Sequence, residues 1–227
     1  MEFFLNLLRS VAYGIIEGVT EWLPISSTGH MILAEQVLKF SFSAEFMEMF
    51  RVVIQLGAIL AVVVLYFKKL WPFCADNGRD SGFSRHFRWP VVRLWCKIIV
   101  ACVPAAVLGL LLDDWLDAHL YNSITVALML IIYGIAFILI ERRPRVPTTT
   151  KLSRITYKQA LIVGAWQVLA LIPGTSRSGS TIIGGLLCGM SRPAASQFTF
   201  FLAIPVMAGA SGLKLVKFLA KGGVFTL

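Results

Sequence analysis

Long apolar runs at about residues 52–67, 94–112 and 120–140 constrain this chain more than any other feature. Each comes close to the ~20 residues that an α-helix needs to cross a hydrocarbon layer ~30 Å thick. A fourth run extends from about 198 to 213, with Lys214 and Lys217 placed to snorkel at its end. A soluble domain could not bury so many such runs. The composition agrees: 57% of residues are hydrophobic, only 15% are charged, and the mean hydropathy is +0.77. The expected fold class is an all-α polytopic membrane protein, residues 1–227 forming a single transmembrane domain.

The formal net charge of +9 would suggest nucleic acid in a soluble protein. Here the basic residues gather in two loops. One, 68–93, holds Lys68, Lys69, Arg79, Arg85, Arg88 and Arg93; the other, 141–158, holds Arg142, Arg143, Arg145, Lys151, Arg154 and Lys158. Between them a turn predicted at 113–119 carries Asp113, Asp114 and Asp117 and no Lys or Arg. The excess of Lys and Arg puts both basic loops in the cytoplasm and the acidic turn outside, and two intervening spans make the parity work. The lipid bilayer is therefore the expected partner, and no nucleic acid is. Cys74, Cys96, Cys102 and Cys188 show no CxxC pairing and no adjacent histidine, so they read as free thiols. Asn6 and Arg9 interrupt the N-terminal apolar run, and no small-residue cleavage site precedes Glu17, so a signal peptide is not expected.

Two regions fit no simple span. Residues 3–22 and 26–39 are apolar but split by the polar stretch EGVTEWLPISSTGH, and residues 160–172 and 181–190 are split by PGTSRSGS. Short, Gly/Pro-interrupted apolar segments in corresponding halves are the sequence mark of broken or re-entrant helices. A shift of 150 residues superposes Gly14 on Gly164, Glu17 on Gln167, Ser26 on Ser176 and Gly29 on Gly179. The expectation is an inverted-topology repeat, about 1–70 and 155–220, linked by helices at about 94–112 and 120–140, its two broken hairpins meeting near the midplane.

Glu17 and Glu21 lie at i and i+4 on one helix face. Two carboxylates in hydrocarbon repel, and a divalent cation, Mg²⁺ or Ca²⁺, would relieve that cost. The bland alternative is an interfacial helix with two solvated glutamates. Pro24 ends the preceding helix, and Ser26 or Ser27 is placed to cap the next. Capping explains one serine but not Ser27 and His30 at i,i+3, where a hydroxyl beside a histidine and a carboxylate suggests an activated nucleophile. The second stretch has the opposite chemistry: Gly174, Thr175, Ser176, Ser178 and Thr181 offer amides and hydroxyls around Arg177 at a helix start. Such a combination binds phosphate. No Asp or Glu follows Glu141, so Arg177 must find its anion in the N-terminal half or in a ligand. Together the two stretches suit a buried site for a phosphorylated substrate, with Ser26 and Thr28 as further contacts.

EGVTEWLPISSTGH, VVIQLGAILAV and PGTSRSGST, in this order over about residues 10–215, resemble the bacterial undecaprenyl-pyrophosphate phosphatase family of the bacitracin-resistance type. The resemblance implies hydrolysis of undecaprenyl pyrophosphate to undecaprenyl phosphate, recycling the lipid carrier of peptidoglycan synthesis. It also implies an inverted-repeat fold, a divalent cation and a bacterial plasma-membrane location. Glu17 and Glu21 match the family's glutamate motif, Ser27 its proposed nucleophile, His30 its histidine and Arg177 its pyrophosphate-binding arginine. The expected catalytic set is Ser27, Glu21, His30 and Arg177, with Glu17 and Glu21 for the metal. The site is expected to open to the outer face. Whether Glu21 or His30 is the base, and whether Ser27 attacks or orients a water, stays open at this point, as does a homodimer. Family members usually continue past KGGVFTL by enough for two more helices, so the chain is expected to lack that part of the bundle. Inverted repeats also occur in transporters, which leaves a carrier or flippase for a lipid phosphate or small anion as the alternative.

Overall fold

The computed structural model describes residues 2–40, 42–75, 78, 82–142, 146–220 and 222. Arg79, Arg143 and Arg145 of the basic loops lie outside them. The described residues are helical, with no strand among them and two isolated bridges, Phe73 with Phe87 and Thr149 with Met190. In chain order the helices are α1 Glu2–Thr20, α2 Ser27–Leu38, α3 Ala44–Leu65, α4 Phe67–Leu70, α5 Trp89–Leu120, α6 Ser123–Glu141, α7 Tyr157–Gln167, α8 Arg177–Leu187 and α9 Arg192–Ala220. A 3₁₀ turn, Val168–Leu171, extends α7 toward the PGTSRSGS loop.

Four helices among the described residues are long and apolar enough to cross a membrane: Glu45–Leu65, Trp89–Leu112, Ser123–Glu141 and Arg192–Ala220. They coincide with the four apolar runs of the sequence. The predicted turn at 113–119 is a correction: α5 continues as helix to Leu120, and the chain reverses only at Tyr121 and Asn122. The residues WLDAHL keep helix-compatible types after the hydropathy has fallen. The Asn122 side chain then accepts from the Thr125 amide at 2.9 Å and starts α6. At ~1.5 Å per residue, the 32 residues of α5 are longer than a hydrocarbon layer ~30 Å thick, and its apolar candidate span ends at Leu112.

The main core lies between α3, α5, α7 and α9, around Val62, Ile98, Ala101, Val163, Phe198, Phe201 and Leu202. α9 runs antiparallel to α3. Near the start of α3, Glu48 accepts from Lys214 Nζ at 2.5 Å, and Ser211 Oγ donates to the Val52 carbonyl at 2.9 Å. Beyond the other end of α3, Tyr66 packs edge-on against Phe201. α7 crosses α5 at Gly164, where a Cβ would lie 2.3 Å from the Ala101 carbonyl oxygen, so only glycine permits this approach. α1 shows the reverse of soluble amphipathicity. Phe4, Leu8, Val11, Ile15 and Val19 are exposed, while Tyr13, Glu17 and Thr20 are buried. A lipid-facing helix with a polar inward face has this pattern.

Candidate active site

The site begins where α1 stops. The Glu21 amide still donates to the Glu17 carbonyl at 2.9 Å, so helical register carries both glutamates inward before Pro24 breaks the chain. α2 then starts at Ser27, capped by the Ser26 side chain, which accepts from the Gly29 amide at 3.3 Å. In the second half the geometry repeats. The 3₁₀ turn after α7 leads to Gly174, whose φ of +87° and close approach to Val126 require glycine. α8 starts at Arg177, and the Ser176 side chain accepts from the Gly179 amide at 3.0 Å.

Both helix starts line one cavity of about 180 Å³. From α2 come Ser27 and Thr28, from α8 Arg177 and Ser178, with both caps, Ser26 and Ser176, and with Glu21 and Thr175. The first amides of a helix have no intrahelical acceptor and carry the positive end of the dipole, so two of them facing one cavity favour an anion there. Ser26 also stands at φ 64°, ψ 93°, a conformation rare for any residue but glycine. Strain of roughly 1–3 kcal/mol at such a residue persists only where its surroundings enforce it.

Glu21 is the hub. It accepts from Ser27 Oγ at 2.6 Å on Oε2 and from Arg177 Nη2 at 2.7 Å on Oε1. The Arg177–Glu21 pair is nearly buried, with side-chain exposures of 13% and 10%. Arg177 keeps donor capacity, since its Nε has no protein acceptor and Nη1 reaches only the Thr199 carbonyl at 3.5 Å. Glu17 is 1% exposed, and neither of its carboxylate oxygens has a hydrogen-bond partner. A carboxylate so placed is costly without a cation or proton.

The remaining expected residues fall elsewhere. The His30 ring donates through Nδ1 to the Ser26 carbonyl at 2.8 Å. His30 lines a second, mostly apolar cavity of about 510 Å³ with Pro24, Ile25, Leu130, Tyr133 and Phe137. Gly174 borders that cavity too, and Ser26 and Ser176 wall both. Thr181 is fully buried, its hydroxyl donating to the Arg177 carbonyl at 2.9 Å and accepting from Thr199 at 3.0 Å, so it supports α8 from behind. Ser178 shares a 3.2 Å hydroxyl contact with Ser176. The described residues include no group of three or more His, Cys, Asp or Glu side chains placed to hold a metal. Sequence reasoning assigned no role to Gln55 or Gln167, which also line the first cavity. The signal for Gln167 was its superposition on Glu17.

Residues 10–226 match the family described as bacitracin resistance protein BacA. The undecaprenyl-diphosphatase of Enterococcus faecalis (strain ATCC 700802 / V583) is 60% identical over 224 residues, covering 98% of this chain and 79% of that protein. The enzyme of the same name from Streptococcus gordonii is 55% identical and covers 99% of this chain and 79% of its own length. That from Lactococcus lactis subsp. cremoris is 53% identical, over 98% and 80%. At such identity and coverage, with both polar stretches inside the matched range, the chain belongs to the bacitracin resistance protein BacA family.

Proposed function

We infer that this chain is a membrane phosphatase that hydrolyses undecaprenyl pyrophosphate to undecaprenyl phosphate and inorganic phosphate. The activity follows from the family and from relatives named undecaprenyl-diphosphatase. The observation that carries it to named residues is the convergence of two capped helix starts, a serine on a carboxylate, and an arginine at one cavity.

In the reaction Ser27 Oγ attacks the terminal phosphorus while its proton passes to Glu21 Oε2, 2.6 Å away. The new bond is Oγ–P; the bond broken joins that phosphorus to the bridging oxygen, which leaves with undecaprenyl phosphate. Water then attacks the same phosphorus and the Oγ–P bond breaks; Glu21 returns its proton to Ser27 Oγ, and the water's oxygen and protons leave on the inorganic phosphate. Arg177 and the first amides of α2 and α8 hold the charge that grows on the phosphoryl oxygens. This reading takes Glu21 as the base in preference to His30; supporting it, His30 lines the second cavity and its Nδ1 is committed to the Ser26 carbonyl. His30 steadies the strained Ser26 turn.

The residues fit a divalent cation in one respect. Glu17 supplies a buried carboxylate without a partner, whereas both oxygens of Glu21 are engaged. Mg²⁺ binds through one or two carboxylates completed by substrate phosphates and water, and Ca²⁺ takes the same oxygen ligands. When bound it would supply charge neutralisation at the phosphoryl oxygens.

We place the protein in the bacterial plasma membrane, basic loops cytoplasmic. α1–α2 then enters as a hairpin from outside and α7 to α8 from the cytoplasm, an inverted repeat over about 1–70 and 155–220. Supporting this are the matching serine caps, the antiparallel α3 and α9, and the pairing of Glu141 at the end of α6 with Arg192 at the start of α9. On this reading the site opens outward, and isoprenoid lies in the bilayer beside it. Release of inorganic phosphate from undecaprenyl pyrophosphate by the purified protein in detergent tests the function. A carrier needs two compartments and would release none.

A further inference from the structure

Gln167 is the last residue of α7, is 2% exposed, and lines the same cavity as Ser27 and Arg177. Neither its amide nitrogen nor its amide oxygen has a hydrogen-bond partner in the protein. A buried amide left so costs stability, and leucine at this site would avoid that cost. Gln159, two turns earlier on the same helix, shows what a structural glutamine looks like. Its oxygen accepts from the Thr156 amide at 3.0 Å, and its nitrogen donates to Thr149 Oγ1 at 3.0 Å and to the Cys188 carbonyl at 3.1 Å. Gln167 makes no such set.

Its neighbours in the cavity share the condition. Thr175 Oγ1 and Arg177 Nε are likewise buried and without an acceptor. Three donors that lack acceptors, on α7, on the following loop and on α8, border the cavity into which two helix starts already draw an anion. Phosphoryl oxygens are acceptors only, and a carboxamide offers two N–H groups to them.

We propose that Gln167 is a substrate-contacting residue, its Nε2 donating to a phosphoryl oxygen of the bound lipid pyrophosphate. The proposal rests on the phosphatase reading and deepens it. It also explains why the position superposed on Glu17 carries an amide. A further carboxylate on the cavity that Glu21 already lines would repel a diphosphate, whereas the amide keeps the reach without the charge.

The test compares the wild type with Gln167→Leu, Gln167→Glu and Gln167→Asn in detergent. It reads KM and kcat for phosphate release, the Kd for methylenediphosphonate by calorimetry, and Tm. Methylenediphosphonate mimics pyrophosphate, but its P–C–P bridge is not hydrolysed. Gln167→Leu should raise KM and Kd about tenfold or more, because a hydrogen bond to a charged group is lost. Its Tm should hold or rise, since the buried amide is gone. Gln167→Glu should raise both constants further. Unchanged KM and Kd in Gln167→Leu, with a lower Tm, would make the amide structural and overturn the proposal. Tighter binding by Gln167→Glu would overturn it too, by showing that the position faces a cation. If Gln167→Leu does not fold, Gln167→Asn decides: raised constants at wild-type Tm support the contact, and wild-type constants refute it. A wild type that releases no phosphate would sink the phosphatase reading alone, because the Kd for methylenediphosphonate still decides Gln167.

Discussion

Arg177 Nη2 sits 2.7 Å from Glu21 Oε1, joining residues 156 positions apart, while the other oxygen of the same carboxylate holds Ser27. One carboxylate thus joins the arginine at the start of α8 to the serine at the start of α2. If Arg177 also grips phosphoryl oxygens through its planar fork, Arg177→Lys should lose most turnover although the charge is kept. One transition-state contact of this kind contributes about 3–4 kcal/mol, two to three decades in rate. Steady-state phosphate release checks this. A lysine variant within a factor of a few of wild type would reduce Arg177 to a counter-ion for Glu21.

The two glutamates should separate by readout. On the proposed mechanism Glu21→Gln removes the base and should abolish hydrolysis. Glu17→Gln leaves the base but removes the unpartnered carboxylate, and should raise the Mg²⁺ or Ca²⁺ concentration needed for half-maximal activity. Titrating metal into chelator-treated enzyme measures it. Wild-type metal dependence in Glu17→Gln would remove that residue from the cation site.

Topology can be read chemically in a background lacking Cys74, Cys96, Cys102 and Cys188. A cysteine at Ser123, beside the turn that follows α5, should react with impermeant maleimide on intact cells. Cysteines at Arg88 or Lys151 should react only after permeabilisation. Labelling from outside at either basic loop would invert the proposed topology and, with it, the proposed outward opening of the site.

Gly164 tests the crossing that positions α7. Its Cβ would meet the Ala101 carbonyl at 2.3 Å, contact with backbone that cannot turn aside. Gly164→Ala should therefore destabilise the protein by about 1–3 kcal/mol, seen as a lower Tm in detergent. Activity should fall as well, because Gln167 and the PGTSRSGS loop follow directly. An unchanged Tm would mean that α5 and α7 can separate freely.

Much of this was legible in the residues, and the exceptions have physical causes. The four spans were read from hydropathy because the bilayer imposes a length and an exclusion of charge. Hydropathy did not find the end of α5, since it records where the chain leaves lipid and not where backbone hydrogen bonding stops. The cluster of Glu21, Ser27 and Arg177 was readable because a charge-poor chain leaves few partners for a buried arginine. The direction of His30 was not. Its i,i+3 spacing to Ser27 allowed either cavity, and the Ser26 turn with the side chains of α6 decides between them. Gln167 escaped because one amide in an apolar run gives no sign of whether its hydrogen bonds are made.

Ser27 and Ser26 give the sharpest separation between chemistry and structure. Ser27 donates to Glu21, while Ser26 caps α2 and bears the strained backbone. Ser27→Ala should fall to background turnover with its Tm almost unchanged, since it loses one hydroxyl on a partner that Arg177 still neutralises. Ser26→Ala should lose about 1 kcal/mol of stability with the cap and keep far more turnover at permissive temperature. Ser26→Gly isolates the backbone, because glycine accepts a φ of 64° without strain, so it should be more stable than Ser26→Ala. Phosphate release and Tm measured on all three variants check the set. Equal loss of turnover in Ser27→Ala and Ser26→Gly, or a larger loss in the latter, would take the nucleophile's role away from Ser27.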